Sequence, residues 1–80
     1  MKETFVKKFW EEEKTLFYLH FQDDMAVRQI EVNSNGKVFL SEEFPIKGDS
    51  ILYDQPLQDL DLQENDFISE QEFEDVWSNR

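Results

Sequence analysis

The chain offers few side chains that could carry out covalent chemistry. It has no cysteine and one histidine, His20, which removes thiolate nucleophiles and thiolate metal sites. His20 sits inside an alternating stretch with no nucleophile at a motif spacing around it. A lone strand histidine of this kind is expected to serve structure or surface rather than catalysis. Gly36 and Gly48 are the only glycines, so glycine-rich phosphate cradles of the P-loop or dinucleotide type are excluded. Carboxylates are abundant, with 19 Asp and Glu in 80 residues. Carboxylate pairs therefore arise from composition alone and single out no acid–base couple.

One spacing fits metal chemistry. Asp61, Gln63, Asn65, Ser69 and Glu72 match the first, third, fifth, ninth and twelfth positions of a calcium-binding EF-hand loop, and Phe73 follows. Against it, Asp66 stands where the loop needs glycine, the third ligand is a neutral Gln, and Pro56 leaves little room for an entering helix. Ser69 and Glu72 also have a second explanation as helix-capping residues. Calcium or small-ligand binding is thus an alternative, and the expectation is no cofactor and no resident metal. A nucleic-acid surface would need a basic patch. Lys2, Lys7 and Lys8 beside Glu11-Glu12-Glu13 make a weak one, better read as a charged edge strand protected against aggregation.

Charge is the most informative property. The net charge is −11, and it is uneven: residues 1–40 hold seven acids against six bases, a balance of −1, whereas residues 41–80 hold twelve acids against two bases, a balance of −10. Such a half-molecule repels nucleic acid and anionic membranes, and it steers a cationic protein with on-rates that fall as salt rises. The same acids also keep a small aromatic-rich protein soluble. No window approaches the roughly 20 apolar residues of a membrane-spanning helix. The amino terminus, broken by Lys7 and Lys8, lacks the apolar run of a signal peptide, so the expected location is cytoplasmic.

The elements that must position these groups are legible in part. Eighty residues suffice for one domain, 1–80, and eight Phe, two Trp and two Tyr supply the bulk for its core. Apolar and polar residues alternate in Thr4–Trp10, Leu16–Gln22 and Ala26–Val32, which predicts three strands. Asp23-Asp24 predicts a hairpin turn between the second and third. Asn33-Ser34-Asn35-Gly36 predicts a turn into a fourth strand. A three-residue loop there pairs Val32 with Val38 and Ile30 with Leu40, the apolar-to-apolar register. Residues 41–66 lose periodicity and gather turn formers, but Ile51, Leu52, Tyr53, Leu57, Leu60 and Leu62 anchor them. They predict an irregular segment laid over the sheet, with a short helix around Leu57–Leu62. Ser69 and Glu72 predict a reciprocal capping box, with Ile68 and Phe73 as its hydrophobic staple. Phe73, Val76 and Trp77 then form the apolar stripe of a helix whose Glu70, Glu74 and Asp75 face solvent. The expected fold is α+β, an antiparallel sheet of about four strands with an irregular crossover segment and one C-terminal helix.

The run Tyr18–Asp24, then Arg28-Gln29-Ile30-Glu31-Val32, Asn35-Gly36-Lys37-Val38 and Ile68-Ser69-Glu70-Gln71-Glu72-Phe73-Glu74-Asp75-Val76-Trp77 resembles an uncharacterised family of small acidic bacterial domains. Its members share an Arg-x-Ile/Val-Glu strand, an Asn/Asp-Gly turn and a terminal Ser-x-x-Glu-Phe-x-x-Val-Trp helix. The resemblance implies strands first and one helix last, and it attaches no activity. Residues 41–66 depart most from the pattern.

Together these features predict a binding protein rather than an enzyme, with a basic protein partner, no nucleic acid and no membrane. An immunity protein or antitoxin that neutralises a cationic nuclease toxin fits first. A phage-type inhibitor that presents carboxylates in place of nucleic-acid phosphates to a restriction or CRISPR effector is the alternative. The residues expected to meet the partner are Glu42, Glu43, Asp49, Asp54, Asp59, Asp61, Glu64 and Asp66, because they lie on irregular segments outside structurally required positions. Oligomeric state is not encoded in any feature of the sequence.

Overall fold

The computed structural model describes residues 1–79. Four strands, β1 (Glu3–Trp10), β2 (Thr15–Gln22), β3 (Met25–Asn33) and β4 (Gly36–Ser41), pair in chain order as one antiparallel sheet. The protein is α+β, with one C-terminal α-helix, α1 (Glu70–Trp77). No helix among the described residues is long and apolar enough to cross a membrane.

Alternation builds this sheet because successive side chains leave opposite faces and both faces are covered. Phe5 and Ile30 pack with Phe73 of α1, joined by Tyr18, Val32, Phe39, Val76 and Trp77. On the opposite face Val6, Leu19, Phe21 and Ala26 pack against Leu52, Tyr53, Leu57, Leu60 and Leu62 of the connecting segment. Between them, residues 42–66 hold a minimal hairpin, β5 (Ile46–Lys47) and β6 (Ser50–Ile51), and two single-turn 3-10 helices, Leu57–Asp59 and Glu64–Asp66.

The first hairpin turn is Asp23-Asp24, flanked by the pair Gln22 and Met25, with Asp23 at a positive φ of 54°. Beyond it the register slips by one residue. Phe21 faces Ala26, yet His20 faces Arg28, so Val27 is an extra residue in β3 and forms a bulge. This slip sends Arg28, Ile30 and Val32 toward α1 and Gln29 and Glu31 to the other face.

The turn between β3 and β4 differs from expectation. Asn33 pairs with Gly36 across Ser34-Asn35, placing Val32 opposite Lys37 and Ile30 opposite Phe39. The Asn33 carboxamide oxygen accepts from Asn35 N at 2.8 Å and closes the turn one residue early. The apolar-pairing rule fails here because it assumes one dry face. With both faces buried, β4 sends Phe39 toward Trp77, with ring centroids at 5.6 Å, and Leu40 to the other side, fully buried.

Two further expectations are corrected. The Leu57–Leu62 helix is only the 3-10 turn Leu57–Asp59. Ser69 does cap α1, its hydroxyl accepting from Glu72 N at 3.0 Å. The Glu72 carboxylate, however, accepts from Lys7 Nζ at 2.9 Å rather than returning to the Ser69 backbone. The lysine that takes this carboxylate lies on β1, 65 positions away, so the local capping pattern could not anticipate it.

Candidate functional site

The buried amide of Gln29 is one of several points that fasten the connecting segment to the sheet, beside backbone bonds such as Leu57 N to Asp24 O at 2.8 Å. Gln29 is 3% exposed. Its side-chain oxygen accepts from Tyr53 N at 2.8 Å, and its Nε2 donates to Ile51 O at 3.2 Å and to Glu31 Oε2 at 2.8 Å. Ser50 Oγ donates to the other Glu31 oxygen at 2.9 Å. The bulge at Val27 is what aims Gln29 and Glu31 at this segment.

On that framework the expected partner residues separate into groups. Glu42, Glu43, Asp49, Asp54, Asp59, Asp61 and Glu64 are exposed. Asp54 Oδ1 accepts from the Gln55 side chain at 3.3 Å. The carboxylates of Glu42, Glu43, Asp49, Asp59, Asp61 and Glu64 make no hydrogen bond or ion pair with another described residue. Asp54 and Asp59 both act on Tyr53, whose phenol is held above its ordinary pKa first by burial and then by these two charges. Asp49 lies by the β5–β6 turn, and Glu42 and Glu43 follow the end of β4. Asp66 is different: it is half-buried, accepts from Gln63 N at 2.8 Å and lies 3.6 Å from Lys8 Nζ, so it is committed to holding its own turn against β1. Among the described residues, no group of three or more His, Asp or Glu is arranged to hold a metal ion.

The opposite face carries a charged cluster that is already satisfied. Arg28 donates from both terminal nitrogens to Glu74, at 3.2 and 2.5 Å, so Glu74 is half-buried and paired rather than facing solvent as the helical pattern predicted. Its guanidinium lies over the rings of Phe73 and Trp77, 4.8 and 5.1 Å from the centroids. Arg28 Nε also donates to His20 Nδ1 at 2.9 Å, which leaves the ring proton on Nε2, 2.6 Å from Glu3 Oε1. That bond from His20 holds the Glu3 carboxyl below its ordinary pKa. His20 is buried and stacked on Phe5 at 4.4 Å.

Sequence reasoning missed a cleft of about 410 Å3 between the sheet and the β5–β6 hairpin. Trp10, Phe17, Tyr53, Glu31, Glu13 and Asp49 are among its lining residues. Trp10 meets Phe17 edge to face at 5.8 Å and remains 38% exposed. The signal available was the alternation of β1 and β2, which puts Trp10 and Phe17 on one face. Glu31 joins them only through the bulge.

Comparison with family models, curated proteins and solved structures gives no match.

Proposed function

We propose that this chain is an acidic protein-binding module that neutralises a cationic nuclease, as an immunity protein or antitoxin does, in the cytoplasm. The observation that supports this reading is how the carboxylates divide. Glu3, Asp66, Glu72 and Glu74 are bound by the chain's own donors. Glu42, Glu43, Asp49, Asp59, Asp61 and Glu64, on one continuous irregular segment, are exposed and unbonded among the described residues. Such charges are desolvated at no internal loss when a cationic surface arrives, and they accelerate its approach.

The test begins with capture of partners from cells of the source organism at low and high salt, and continues with the purified basic protein that is retained. The double reversal Asp59→Lys/Asp61→Lys is expected to weaken that complex and reduce its salt dependence, with the fold unchanged by circular dichroism. Unchanged affinity and salt dependence would overturn the reading. Retention of a restriction or CRISPR effector in place of a nuclease toxin would reassign the same carboxylates to an anti-defence role.

A further inference from the structure

Arg28 shows what this protein does with a guanidinium. It lays the planar group over two aromatic rings, Phe73 and Trp77, and clamps its edge with the carboxylate of Glu74. Across the sheet, the cleft beside Trp10 presents the same three components. Trp10 and Phe17 meet at an interplanar angle of 75° and form an aromatic corner. Glu31 is half-buried, and its two oxygens are oriented by single bonds from Gln29 and Ser50. Each oxygen keeps acceptor capacity for another donor. Glu13 and Asp49 add exposed charge at the same opening. No Lys or Arg among the described residues lines this cleft. Three carboxylates and three aromatic rings therefore converge on one concavity with no cation among the described residues lining it.

We propose that this cleft receives an arginine side chain of the cationic protein partner, which stacks on Trp10 and Phe17 and donates to Glu31. The assignment rests on the reading of the chain as a binder of basic proteins. Arginine is preferred to lysine because a planar guanidinium stacks on rings while its in-plane N–H groups reach a carboxylate, which a compact ammonium cannot do at once. The cleft's volume lies within the roughly 300–1,000 Å3 of small-ligand sites, so it admits one such side chain along with its stem. Glu31 acts here as the fixed acceptor, and Asp49 and Glu13 as the charges that draw the cation in.

The experiment is a titration of the full chain, followed by proton–nitrogen NMR, with N-acetyl-arginine methylamide, its lysine counterpart and its citrulline counterpart, a neutral near-isostere. Saturable shifts of the Trp10 indole N–H and of the Ser50 and Tyr53 amides are expected with the arginine compound and not with citrulline. Glu31→Gln, which can keep the bonds to Gln29 and Ser50, should weaken the binding about tenfold, the equivalent of roughly 1.4 kcal/mol. Trp10→Leu should abolish the shifts at Ser50 and Tyr53. Absence of saturable shifts at these three sites, or equal binding of citrulline, would overturn the site, and equal binding of the lysine compound would overturn the preference for guanidinium. Failure of this titration while Asp59→Lys/Asp61→Lys still weakens the partner would refute the cleft and leave the partner reading intact. Binding of the arginine compound with no cationic protein retained at low salt would refute a protein as the source of the guanidinium.

Discussion

On the α1 side of the sheet, ring packing and paired charges reinforce one another: Phe73 is fully buried, and Arg28 joins Glu74 to His20 over its ring. On the other side the covering segment is half-buried at best, is anchored through Gln29, and carries its carboxylates outward. Arg28, His20 and Glu74 are paired with one another on the first face, whereas Glu42, Glu43, Asp49, Asp59, Asp61 and Glu64 of the covering segment have no bonded partner among the described residues. Both faces of the sheet hold fully buried side chains, Ile30 and Phe73 on one and Val6, Phe21 and Leu40 on the other, but only the α1 cover contributes a fully buried residue of its own, Phe73. Irregular backbone suits the presenting side, since 3-10 turns and a short hairpin release side chains at many angles from a rigid sheet.

The largest test of that division is a pair of aromatic truncations. Phe73→Ala is expected to cost about 3–5 kcal/mol in denaturant unfolding, as loss of a fully buried Phe does. Tyr53→Ala, at a half-buried position, should cost about 1–2 kcal/mol. Equal losses would show that both covers carry the fold to the same degree.

A middle-sized effect should follow from Gln29→Leu. It leaves Tyr53 N without its acceptor and costs about 1–3 kcal/mol, the usual penalty for an orphaned buried group. Amide exchange at Tyr53 should quicken while that of Phe73 keeps pace only with global unfolding. Uniform acceleration across the chain would instead mean that the segment and the helix unfold as one unit.

The smallest effects concern pH. Lys7, tied to Glu72, has its pKa raised chiefly by that bond. Its contribution to stability is therefore complete below the ordinary lysine value and is lost as pH rises through the elevated one. Glu3, lowered chiefly by His20, behaves in the opposite sense: its contribution is present above the ordinary carboxylate value and is lost as pH falls through the depressed one. Unfolding midpoints of Lys7→Met should lack the alkaline fall, and those of Glu3→Gln should lack part of the acid fall. At an exposed pair such as Lys7 and Glu72 the change should stay within about 1 kcal/mol.

Much of the fold was legible because its signals are local. Strand alternation, the Asp23-Asp24 turn, the Ser69 cap and the stripe of Phe73, Val76 and Trp77 each depend on residues a few positions apart. What was not legible depends on phase. Without an extra residue at Val27, counting back from the Asp23-Asp24 turn puts Arg28 and Ile30 on the face of Leu19. The bulge reverses this and brings Glu31 beside Phe17. No residue type announces that slip. The register of β4 was missed for a related reason, since apolar pairing discriminates only when one face is wet. The carboxylates proposed to meet a partner were legible as exposed groups on irregular chain, except Asp66, whose lysine contact is 58 positions away in sequence and so invisible to any local pattern. Glu74 was misplaced likewise, because its arginine lies on another element.

The short hairpin at the edge of β4 leaves Phe44 and Ile46 67% and 66% exposed, with Lys37 and Lys47 beside them at one shallow hollow. At neutral pH the surplus of negative charge holds separate molecules apart, so these apolar tips stay apart as well. Near the isoelectric point, about pH 4.2, that mutual repulsion vanishes. The molecule is then a neutral particle with exposed apolar corners, and contact between molecules through side chains such as Phe44 and Ile46 is no longer opposed by net charge.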